Sequence, residues 1–137
     1  MQTCGSLVRS TIARALKPDP NRVVSEWADD ERYLTTEGSH VAGRWVTDRV
    51  PYQRGIMDAL SPSDHAIRVV VKKGSRAGVS ECGNNAIGCW IDDSPGPILA
   101  SYPNEAMATR VSKIKIGPMI DSCPSLRAKV ASPRSRD

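Results

Sequence analysis

The residues with the clearest chemical potential lie in VVVKKGSRAGVSECGNN, positions 69–85. Apolar β-branched residues run into a turn rich in Gly, Ser and Lys, and a helical segment follows. That is the outline of a phosphate-binding loop, in which backbone N–H groups and a helix N-terminus concentrate positive potential on an anion. The usual pattern is G-x-x-x-x-G-K-[ST] after a strand. With Gly78 and Ser80 set on its last glycine and its hydroxyl residue, the first glycine position holds Lys73 and the lysine position holds Val79. Lysine and small residue have changed ends. The backbone from Gly74 through Ser75, Arg76 and Ala77 to Gly78 can still curl around a phosphate. Ser80 is placed to ligate Mg²⁺. Lys73, across the loop, can bring an ammonium to the outer phosphates, with Lys72 as a poorer substitute, and Arg76 adds charge at the tip. A basic strand-to-helix turn that binds nothing satisfies the same spacing, so the residues alone leave both readings open.

Other chemistries find less support. The four cysteines, Cys4, Cys82, Cys89 and Cys123, form no CxxC pair, and neither His40 nor His65 is near one. Zinc ligand pairs usually sit two to four residues apart, so buried reduced thiols are the expectation. Cys82 and Cys89, seven apart, share one face of a helix. The acidic run at positions 28–31 offers paired carboxylates, but adjacent helical residues point in different directions, which favours a solvated face.

The net charge of +4 permits contact with a polyanion without demanding it. Arg110, Lys113, Lys115, Arg127, Lys129, Arg134 and Arg136 can contact DNA, or simply form a solvated helix face, which is the preferred reading. No run approaches the ~20 apolar residues of a membrane span, and no signal peptide is evident. A weak targeting sequence at the basic start stays open beside the default of a reducing cytosol.

Positioning elements follow from pattern. Leu7, Ile12 and Leu16 mark a short first helix, ended by Pro18 and Pro20. Ser25 caps a second, SEWADDERYL, anchored by Trp27 and Leu34. TTEGSHVAGRWVTDRV reads as loop or irregular extended chain. Pro51 opens the helix PYQRGIMDAL. AIRVVV is a strand, residues 80–92 a helix despite Gly83, Asn84, Asn85 and Gly88, and ILASYP a second strand. Asn104 caps a helix running to about Ile116, where Gly117 and Pro118 disturb it, and DSCPSLRAKV holds one more. The alternation predicts an α/β fold with a parallel sheet, and two strands make that sheet small.

The segments GRWVTDRVPYQRGIMDAL, KKGSRAGVSE and ILASYPNEAMATRVSKIKIGPMIDSCPSLRAKV, in this order, resemble the start of the lambda-type tailed-phage terminase large subunit, the DNA-packaging motor. The resemblance runs from near Ser25 to about Val130. It implies an incomplete P-loop NTPase-type parallel sheet preceded by N-terminal helices, with residues 1–24 a helical or flexible segment, 25–130 the first part of the ATPase domain, and 131–137 a disordered tail.

Some members of that family carry lysine at the first loop position, so the resemblance makes Lys73 the relocated phosphate lysine. A Val at position 79 is unusual for the pattern. Tyr52 and Gln53 match the segment that holds adenine. The pair suits the task, since an aromatic face stacks on a base and an amide pairs with its edge. A helix start with no ligand is the bland alternative, and Trp45 is expected to pack.

The implied cofactors are ATP and Mg²⁺. The implied partners are double-stranded DNA, the small terminase subunit and the portal, with self-association possible, in the cytoplasm of a bacterial host. The acidic pair for hydrolysis and the carboxylate-rich nuclease domain are expected downstream, so enzymatic activity of this chain is left undecided. A non-catalytic DNA- or partner-binding piece, or an inert prophage relic, are the alternatives.

Overall fold

The computed structural model describes residues 21–36 and 41–131, together with Arg9, Ile12 and Leu16. The helix expected between Leu7 and Leu16 otherwise lies outside the described residues, as does the tail from position 132.

Helix α1 is Val24–Glu31. Ser25, expected as its cap, lies inside it. The Glu26 carboxylate accepts from the Val23 amide at 3.4 Å, and Ser61 Oγ accepts from the Val24 amide at 2.9 Å. Helix α1 stops three residues earlier than the apolar pattern suggested. Arg32 takes an extended backbone and sends its guanidinium inward, where Nε donates to Asn85 Oδ1 at 3.1 Å. Tyr33–Leu34 (β1) then pairs antiparallel with Gly43–Arg44 (β2), Leu34 opposite Gly43. Part of the segment expected as loop or irregular extended chain is therefore a short ladder, extended by the Trp45 amide donating to the Arg32 carbonyl.

A 3₁₀ turn at Thr47–Arg49 leads to α2, Tyr52–Asp58, with Pro51 at its N-cap. Helix α3, Val79–Asp93, is the central element and packs against α1, α2 and the last helix. Its poor helix formers have packing reasons. Asn85 is fully buried, and its amide serves Arg32 and the Met57 sulfur. A Cβ on Gly88 would lie 2.3 Å from Trp27 Cη2, so the bare backbone is what lets the indole lie on α3. Tertiary contact outweighs the ~1 kcal/mol propensity cost of a helical glycine. Cys82 and Cys89 share the buried face, as their spacing predicts, with Trp27, Met57 and Leu126 nearby in the same core.

Asn104 caps α4, Glu105–Val111, its Oδ1 accepting from the Met107 amide at 2.8 Å. A π turn, Ser112–Ile116, follows, then α5, Gly117–Ser122, and α6, Pro124–Lys129. Pro118 does not end the helical path. It sits in the first turn of α5, where its missing N–H is no loss.

Residues 66–71 and 98–103, expected as strands of a parallel sheet, pair with no strand among the described residues. Ile67, Val70 and Leu99 are exposed there. No described helix is long and apolar enough to cross a membrane.

Candidate functional site

The loop at positions 73–80 turns at Ser75 and Arg76 and enters α3 through Gly78. Arg76 has φ 60° and Gly78 φ 73°, both left-handed. Glycine takes that geometry freely, whereas Arg76 bears some strain at the tip. Gly78 offers no side-chain cap, and the Glu81 amide turns back to its carbonyl at 2.9 Å. The Val79 and Ser80 amides ahead of it lie where a helix offers no internal acceptor, so this end presents N–H groups and the positive end of the helix dipole. Ser80 is exposed on that first turn and Val79 is half-buried. Lys72, Lys73 and Arg76 are all exposed, and Lys73 makes a long contact, 3.4 Å, to the neighbouring Gly74 carbonyl.

The structure brings Tyr52 and Gln53 to this loop. The Tyr52 hydroxyl donates to the Ala77 carbonyl at 2.9 Å, and Gln53 Nε2 donates to the same oxygen at 3.2 Å. Both lone pairs of that carbonyl are thereby used. Gln53 is 5% exposed, whereas Tyr52 is 60% exposed and keeps a face of its ring open. Beside Gln53 lies a cavity of about 250 Å³ whose walls include Trp45, Val46 and Val50. Trp45 packs, as expected, with its indole N–H on Thr47 Oγ1 at 3.0 Å, and it also lines this cavity. A larger groove, about 460 Å³, runs along α4 and the π turn and includes no residue of the loop.

Two charge networks escape sequence reasoning. Glu81, next to Ser80, accepts from Lys115 at 2.8 Å and from Arg32 at 3.4 Å. Its negative charge is neutralised beside a site that would otherwise repel an anion. At the far end of α3, Arg22 makes a bidentate pair with Asp93, 2.8 Å on each arm. Asp92 accepts from the Trp27 indole at 2.9 Å and pairs with Lys129 at 2.6 Å. Hydrogen bonding to Asp93 raises the Arg22 pKa further. Burial alone would raise the Asp92 carboxyl, but hydrogen bonds from Lys129 and Trp27, with the charges of Lys129 and Arg22, hold it below its ordinary value. Burial pushes the Cys89 thiol up to about 12, so it stays protonated, and raises Cys82 as well. Lys115 and Lys129, read from sequence as solvated or DNA-facing, instead serve acids of α3. Of the acidic run, Asp29 accepts from the Thr47 amide at 2.6 Å and Asp30 is exposed.

A helix N-terminus entered through a left-handed glycine, behind a lysine-bearing loop, is a setting that suits an anion. The family of the phage terminase large subunit gpA, ATPase domain, matches residues 39–137, and the chain belongs to that family. Comparisons with curated proteins and with solved structures gave no match.

Proposed function

We propose that the chain binds ATP with Mg²⁺ at the 73–80 loop, as part of the ATPase domain of a motor that packages double-stranded DNA. The small terminase subunit and the portal are the partners this reading implies. The observation that carries it is the convergence of Tyr52 and Gln53 on Ala77, directly before the left-handed Gly78. That contact joins the two segments assigned to base and phosphates.

The residues present fit such a ligand. The Val79 and Ser80 amides in the first turn of α3 can donate to phosphate oxygens. Lys73 is exposed across the loop to pair with the outer phosphates, replacing the lysine absent at Val79. Ser80 is exposed to ligate Mg²⁺. With one Gln53 N–H given to Ala77, the amide oxygen and the second N–H remain. They match the amino group and ring nitrogen of adenine. The open face of Tyr52 is free to stack. Bound ATP–Mg²⁺ supplies the γ-phosphoryl group and the cation that neutralises its charge. The chain's own part is to hold and orient that ligand. The reading as a DNA-binding piece is weakened by the ion pairs that occupy Lys115 and Lys129.

Calorimetric titration with ATP and Mg²⁺ tests the proposal. Lys73→Ala is expected to weaken binding at least tenfold, and Lys72→Ala to change it little. Equal losses in the two variants would sink the lysine assignment.

A further inference from the structure

We infer that Tyr52 and Gln53 are positioning residues for the phosphate loop, and that they act on it whether or not a base is bound. The inference rests on the nucleotide reading above and deepens it. A residue that only reads adenine has no need to touch the loop. Here both side chains spend a donor on one backbone oxygen, the Ala77 carbonyl, at 2.9 and 3.2 Å. Ala77 is followed by Gly78, whose left-handed backbone starts α3. Holding the Ala77 carbonyl therefore fixes the peptide plane that joins Ala77 to Gly78, and with it the direction of the Gly78 amide.

The fit between the two segments is tight. A Cβ on Gly78 would fall 2.2 Å from Gln53 Nε2. Glycine at this position thus serves the close approach of Gln53 as well as the positive φ. The contact also settles the orientation of the Gln53 amide, since a carbonyl only accepts and the NH₂ end must face it. Base recognition and loop geometry then share one side chain. Filling the base site stiffens the phosphate site, and a loop held in place presents the remaining Gln53 oxygen and N–H in a fixed direction.

The test uses the whole chain and a probe without a base, inorganic tripolyphosphate with Mg²⁺, beside ATP. Tyr52→Phe removes only the hydroxyl of an exposed ring, so folding is unaffected. Gln53→Ala removes the second donor. Each is expected to weaken tripolyphosphate about fivefold, the worth of one ordinary hydrogen bond. Tyr52→Phe weakens ATP by the same factor, and Gln53→Ala weakens ATP further because its contacts to the base are lost as well. Weakened ATP with unchanged tripolyphosphate would make the two residues base readers only and overturn the inference.

Hydrogen exchange of the free protein gives a second arm that needs no ligand. Tyr52→Phe is expected to speed exchange at the amides of residues 74–80 while the C-terminal half of α3 stays protected. Unchanged exchange there overturns the inference. Wild-type protein that binds neither ATP nor tripolyphosphate would instead sink the nucleotide reading. The exchange arm still decides whether the two residues hold the loop.

Discussion

The two ends of α3 are built on opposite plans. At its N-terminus Ser80 is exposed, Val79 is half-buried, and the entering glycine offers the first-turn amides no side-chain cap. At its C-terminus two buried acids are met by a bidentate arginine, a lysine and an indole N–H. The acids stand where the helix dipole disfavours negative charge, and the surrounding cations more than offset it. One helix thus leaves its N-terminal end open and is anchored at the other.

Removing Arg22 is the strongest way to break that contrast. Arg22→Ala leaves Asp92 and Asp93 buried with less compensation and is expected to cost about 3 kcal/mol, read from the urea midpoint at pH 7. A loss below about 0.5 kcal/mol would reduce the cluster to a surface pair. Gly78→Ala strikes the open end, where the left-handed backbone and the nearby Gln53 both resist a Cβ. Its expected cost is about 1 kcal/mol in the same assay, with a larger loss in ATP affinity than in stability.

Acid sharpens the comparison. The Asp92 carboxyl sits below its ordinary value of 3.8, so it contributes stability above that pH and loses it as pH falls further. Wild type is expected to be more stable than Asp92→Asn at pH 7, with the gap closing below pH about 3.8. A gap independent of pH would exclude the charge as its source. The smallest stability effect belongs to Lys73→Ala, which is expected to move the urea midpoint by less than about 0.5 kcal/mol. A large shift would mean that the loop lysine supports the fold rather than a ligand.

The fold was legible where its signals are local. Pro51 opening α2, Asn104 capping α4 and the seven-residue spacing of Cys82 and Cys89 each act within a turn or two, and each does what its sequence context predicts. The early end of α1 was not legible, because Arg32 leaves the helix to reach Asn85, 53 positions away. The continuation of the helical path through Pro118 depends on the preceding π turn, whose widened ring has no simple composition signal.

The same division holds at the candidate site. The loop residues stood out by type and spacing, and Tyr52 and Gln53 by resemblance. Their shared contact with Ala77 links positions 24 and 25 apart and could not be read from either segment alone. Nothing local in the sequence marks Glu81. Its two cationic partners come from α1's end and the π turn.

The Arg22–Asp93 pair has a consequence in time. Its partners are 71 positions apart, so a chain emerging from its N-terminus carries Arg22 without Asp93, beside only the nearer Asp30 and Glu31, until α3 has been completed. Closing so long a loop is entropically expensive, and such contacts tend to form late in folding. An interaction absent from the transition state leaves the folding rate nearly unchanged and slows unfolding instead. The clasp at the far end of α3 is thus expected to set how long the folded protein lasts, while the speed of its assembly is decided elsewhere.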